Sequence, residues 1–96
     1  MPKVVWTDKC LQRIEEISDY IELDSKKNAE QFIKEIFDKE EMLKNNPKIG
    51  KIAPDYELEE YRQIIIRNYR LVYKIDGKSL HMITIRHCRQ EKIIDE

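Results

Sequence analysis

A chain of 96 residues, 41% hydrophobic and 39% charged with a formal net charge of −1, is one domain's worth of sequence (1–96). A domain this size buries under about 70% of the surface its unfolded chain exposes, which leaves no room for a large enclosed cofactor. Near-neutrality argues against strong nonspecific nucleic-acid binding, and two cysteines outside any CxxC spacing, no apolar leader and no run of roughly 20 apolar residues point to a cytoplasmic protein without disulfides or a membrane span.

Lys3 to Trp6 is a short run of β character ended by Thr7, a good helix N-cap. From Asp8, the apolar residues Leu11, Ile14, Ile17 and Ile21 recur at helical spacing with acidic residues between them, predicting a helix that ends near Asp24. Ser25 can cap a second helix carrying Ala29, Phe32, Ile33, Ile36, Phe37 and Leu43, closed by Asn45, Asn46 and Pro47. So short a connection predicts an αα-hairpin whose apolar stripes face each other and the core. Pro47 to Glu60, with Gly50, Pro54 and a small acidic cluster, has no clear period and reads as a loop. Three β-rich runs follow: Arg62 to Arg67, Tyr69 to Ile75 and Ser79 to Arg86. Asp76-Gly77 is the strongest hairpin signal and, as a two-residue turn, pairs Ile75 with Lys78, Tyr73 with Leu80 and Leu71 with Met82. That register turns one largely apolar face to the helices and leaves Arg70, Val72, Lys74, His81, Ile83 and His87 on the other. The expected fold is α+β, β-α-α-β-β-β, with an N-terminal helical hairpin packed on a mainly antiparallel four-stranded sheet and a short polar tail.

Charge is unevenly spread. Residues 1–46 carry 8 Lys/Arg against 11 Asp/Glu, whereas between Tyr61 and Lys92 there are 8 basic residues against 2 acidic ones, a local +6. A one-signed surface favours an anionic partner, either a phosphate backbone or an acidic protein segment. The chain offers no Gly-rich phosphate loop and no plausible Ser/His/Asp set. His87 and Cys88, adjacent on a strand, point to opposite faces and cannot form a dyad. Two histidines and two cysteines do not supply a zinc ligand set, so neither a metal nor another cofactor is expected. Arginines with His87 and several tyrosines remain. Guanidiniums can position a phosphodiester and a histidine can move a proton, so metal-free RNA cleavage is chemically possible, while a solvated or ion-paired face is the alternative reading of the same residues.

At Tyr69-Arg70-Leu71-Val72-Tyr73, the Asp76-Gly77 hairpin and the ending Arg86-His87-Cys88-Arg89, the chain resembles the RelE/ParE toxin superfamily. Val5-Trp6-Thr7 before a helix, Pro47-Lys48-Ile49-Gly50-Lys51 after the second, and Tyr61-Arg62 opening the sheet extend the resemblance over nearly the whole length. It implies a toxin of a type II toxin–antitoxin pair, of the plasmid stabilisation type, neutralised by an antitoxin segment wrapped around it. RelE-like members cut messenger RNA on the ribosome, and ParE-like members act on DNA gyrase without hydrolysing RNA. Carried over by position, a nuclease would use Arg62, Arg70 and Arg89 with His87 as the proton-transfer group, because Ile93-Ile94-Asp95-Glu96 occupies the place of the usual C-terminal tyrosine. Target binding would fall to Lys51, Arg62, Arg70, Arg86 and Arg89. The His87-x-Arg89 ending and the near-neutral net charge favour the ParE side, with growth arrest through gyrase, while the missing tyrosine also permits a chain that has lost its target. A ribosome-dependent mRNA endoribonuclease is the alternative, and a nontoxic interaction module that keeps the fold is the third reading.

Overall fold

In the computed structural model, which describes residues 2–89, the chain runs through β1 (Lys3–Trp6), α1 (Asp8–Glu22), α2 (Lys26–Asn45), a 3-10 turn (Pro47–Ile49), β2 (Lys51–Ile52), β3 (Tyr61–Ile66), β4 (Tyr69–Asp76) and β5 (Ser79–His87). The polar tail and the place of the missing tyrosine lie outside the described residues.

Both helices start where a side-chain oxygen is available for the unpaired amides of the first turn. Thr7 Oγ1 accepts from the Cys10 amide at 3.2 Å, and Ser25 Oγ from the Asn28 amide at 3.1 Å. The Thr7 hydroxyl also donates to the Met82 carbonyl at 2.8 Å, which ties the start of α1 to β5. Cys10 and Ile14 of α1 and Ala29, Phe32, Ile36 and Leu43 of α2 are buried. All of these except Ala29 pack with Ile66, Leu71, Tyr73, Leu80, Met82 and Ile85 of the sheet into one core. The stripes are wider than their buried part, since Leu11 and Phe37 are about half exposed, at 49% and 59%.

The strand order is β1-β5-β4-β3-β2, five strands rather than four. The fifth is β2, a two-residue strand within the segment read as loop, too short to show a period of its own. Only β1 and β5 run parallel; the other pairs are antiparallel. The β4–β5 register differs from expectation by one turn position. Asp76 pairs with Ser79 and Ile75 with Leu80, so the turn residues are Gly77 and Lys78. Gly77 takes the left-handed conformation, φ 59°, that a glycine adopts without steric cost.

The expected inward set Leu71, Tyr73, Ile75, Leu80 and Met82 keeps its face, because the pairing moves by two residues along β5. A β-bulge then interrupts the ladder: Tyr73 pairs with Met82 but Val72 with Thr84, leaving Ile83 as the extra residue. Beyond it the alternation reverses relative to an unbroken strand. Ile85 and His87 therefore turn toward the helices, and Thr84 and Arg86 turn away.

Candidate functional site

Residues directly opposite one another in a ladder share a face of the sheet. On the face away from the helices, Arg70 stands between Ile65 and Arg86, Val72 between Gln63 and Thr84, and Lys74 between Tyr61 and His81, while Lys51 adds to the Gln63 row. Of the sequence-predicted residues this brings together Lys51, Arg70 and Arg86.

The face is partly roofed by residues 53–60, a strap between β2 and β3. Its ends are closed by the Ala53 amide on the Tyr61 carbonyl, 2.8 Å, and the Tyr61 amide on the Leu58 carbonyl, 3.0 Å. From it Asp55 grips Arg70 with both oxygens, Nη1 to Oδ1 at 2.6 Å and Nη2 to Oδ2 at 3.2 Å, and Gln63 Oε1 accepts from the same Nη1 at 3.2 Å. The two charged side chains are only 6% and 5% exposed, so this is a buried, bidentate ion pair. Tyr56 stacks on Tyr61 with ring centroids 4.2 Å apart and an interplanar angle of 10°, and Lys74 Nζ lies 5.5 Å from the Tyr61 ring centroid. Arg86, also buried, has its pKa lowered from the ordinary value by burial and by the guanidiniums of Arg13 and Arg70, with Glu16 and Tyr56 acting in the opposite sense. An arginine stays charged at neutral pH regardless, so Arg13, Arg70 and Arg86 form a cationic group bordered by Asp55 and Glu16.

Arg62 lies elsewhere. It pairs with Tyr73 and so sits on the helix side, under the 3-10 turn. Its Nε donates to the Glu59 carbonyl at 3.1 Å and its Nη1 to the Lys48 and Gly50 carbonyls at 3.3 and 3.0 Å. Beside it the Tyr73 hydroxyl donates to the Pro47 carbonyl at 2.6 Å and accepts from the Gly50 amide at 3.1 Å. Burial raises the Tyr73 pKa above its ordinary value, with the Gly50 hydrogen bond and Arg62 opposing. These bonds satisfy backbone groups of a turn that has no ladder of its own.

His87 pairs with Tyr69 and meets its ring edge-on, centroids 5.4 Å apart, while Tyr69 in turn packs on Phe32 of α2 at 5.7 Å. Its Nδ1 accepts from the Arg89 amide at 3.1 Å. The expectation that His87 shares the open face with Arg70 is corrected by the bulge, which places it on the helix side. The four residues of a nuclease set are thus divided: Arg70 on one face, Arg62 and His87 on the other, and Arg89 beyond the end of β5. Asp55, Tyr56, Gln63 and Arg13 are the partners that sequence reading missed. The acidic cluster after Pro54 was a signal for Asp55, but only the strap's fold matches it to Arg70. Among the described residues, no group of three His, Cys, Asp or Glu side chains is placed to hold a metal ion, and no helix is long and apolar enough to cross a membrane.

A helical hairpin over one face of a small mixed sheet, with a basic opposite face, is the α+β fold of the RelE/ParE toxin superfamily. The chain is similar to a structure of the chromosomal ParDE toxin–antitoxin system of P. aeruginosa, with a TM-score of 0.72 at 20% identity over 91% of this chain and 96% of that one. It is similar also to a YoeB/ParE toxin from Agrobacterium tumefaciens, TM-score 0.62 at 20% identity over 88% and 96%. For a YoeB dimer from Staphylococcus aureus the TM-score is 0.59, at 18% identity over 90% and 95%. No curated protein sequence matches the chain significantly. The profile of the ParE toxin family, toxins of the type II parDE system, matches residues 4–92, and the chain belongs to that family.

Proposed function

We propose that this toxin arrests growth by acting on DNA gyrase, in the manner of ParE, and not by cutting messenger RNA. The observation that carries this reading is the division of the nuclease set by the sheet. General acid–base cleavage needs the proton-transfer group and the charge-stabilising arginines within hydrogen-bond reach of one phosphodiester. His87 is turned toward Tyr69 on the helix side, Arg70 is bound to Asp55 on the other face, and Arg62 holds three carbonyls of its own chain. Arg62 and Arg70 on this reading keep the turn and the strap in place, while Lys51 and Arg89, both exposed, remain for target contact with Arg86 behind them.

The neutralising partner is an antitoxin, as in the toxin–antitoxin complexes of similar fold, and both act in the cytoplasm. Leu11 and Leu23 at the two ends of α1 and Phe37 and Met42 on α2 are exposed apolar side chains of the kind a partner covers. Expression without antitoxin, followed by plasmid supercoiling analysis and primer extension on the same cultures, tests the proposal. Lost supercoiling with intact mRNA is the expected result. Cuts within translated codons would overturn it in favour of ribosome-dependent cleavage, and normal growth would leave an interaction module that keeps the fold.

A further inference from the structure

We propose that the 53–60 strap is a latch: the Asp55 carboxylate fills an oxyanion site that Arg70 forms beside Arg86, and an external phosphate or carboxylate group opens the strap by taking its place. The inference does not depend on which macromolecule the toxin attacks.

Three observations carry it. The grip of Asp55 on Arg70 is side-on and two-pronged, 2.6 and 3.2 Å, which is how a guanidinium binds a free carboxylate or phosphate. Arg86 stands directly opposite Arg70 in the ladder, both buried. Two like charges so placed repel unless anions lie beside them, so an oxyanion is part of the site's construction and not an accident of the surface. Finally, Asp55 is the strap's buried charged anchor, since its side chain is only 5% exposed against Arg70. Ala53 is buried and Asp55 and Tyr56 are partly so, whereas Pro54 and 57–60 are exposed. Glu57 is held at φ 54°, a backbone region that a residue with a Cβ seldom adopts unless its surroundings impose it. If the carboxylate leaves Arg70, the strap loses that buried anchor, and the Tyr56–Tyr61 stack and the bonds of Arg62 and Ile75 to residues 59 and 60 are left to hold it. Lifting the strap uncovers Arg70, Val72, Thr84 and Arg86, now buried on the open face.

The test compares sodium phosphate and sodium acetate with sodium chloride at matched ionic strength. In the wild-type protein, the competing anion is expected to accelerate amide hydrogen exchange at 55–60 and leave β4 and β5 unchanged. In Asp55→Asn, where the internal carboxylate is gone, the same anion is expected to raise the thermal midpoint by about 4 °C or more once it exceeds its Kd severalfold, with a smaller rise in wild type. A response to phosphate alone identifies a phosphoryl group as the natural key, and a response to acetate a carboxylate side chain. Adding Arg70→Gln to Asp55→Asn removes the effect. Overturning results are a double variant that responds as fully as Asp55→Asn, or a wild type with unchanged exchange alongside an Asp55→Asn variant that is unfolded or responds no more than wild type.

Discussion

At the scale of single residues, the chain's two glycines are required for different physical reasons, and one experiment separates them. A Cβ on Gly50 would stand 2.6 Å from both the Gln63 carbonyl oxygen and the Tyr73 hydroxyl. The first is backbone within β3 and cannot yield, and moving the second breaks the bonds that fasten the 3-10 turn. Gly50→Ala is therefore expected to cost about 1–3 kcal/mol in a denaturant titration. Around Gly77 a Cβ meets nothing within 4 Å, but φ is +59°. Gly77→Ala should cost about 1 kcal/mol for the left-handed backbone alone, and Gly77→Asn less, since asparagine tolerates that conformation. A Gly50→Ala loss smaller than that of Gly77→Ala would contradict the steric account of Gly50. Tyr73→Phe leaves the Pro47 carbonyl and the Gly50 amide without their partner, with an expected cost of about 1–3 kcal/mol.

At the scale of elements, the helices were legible in the sequence because their signals are local: Thr7 and Ser25 as caps, and apolar residues every three or four positions. The Ser79 strand was legible as a strand but not in its register, because Asp76-Gly77 and Gly77-Lys78 are both acceptable turns and the choice rests on pairing along its whole length. The bulge opposite Tyr73 carries no local signature, yet it decides that Arg86 and not His87 joins Arg70. The candidate site suffered accordingly, since Arg70, Arg86 and Lys51 were named but the anionic partner of Arg70, fifteen residues upstream of it, was not. Burial of that ion pair makes a further prediction. Arg70→Ala or Asp55→Ala alone strands one buried charge and should cost about 3–5 kcal/mol, whereas the double variant should lose much less than the sum. A double-mutant cycle by chemical denaturation measures the coupling. Strict additivity would mean that the pair is solvated and the strap only loosely seated. The same burial means that lost toxicity in Arg70→Ala reports on function only after the variant is shown to be folded.

At the scale of the whole molecule, stability should fall on the alkaline side, because the core encloses two weak acids that must stay neutral. Burial pushes the Cys10 thiol from 9.0 up to about 12, and burial likewise raises Tyr73 above 10.0. For an acid whose folded-state pKa is raised, the unfolded chain gives up its proton first. The stabilisation is complete below the unfolded pKa and is lost as pH rises through the folded one. The denaturant midpoint should accordingly fall from about pH 9 upward, with the thiol responsible for the first part of the decline and Tyr73 joining above 10. Cys10→Ala removes the thiol without adding a charge, so its midpoint starts lower because of the lost packing but should decline less steeply between pH 9 and 10. Labelling follows the same division. The exposed Cys88 reacts with a thiol reagent in the native protein, while the buried Cys10 reacts only at the rate at which the fold opens. A Cys10→Ala variant with the same alkaline slope as wild type, or a native Cys10 that labels as fast as Cys88, would show that the helical hairpin does not seal this side of the core.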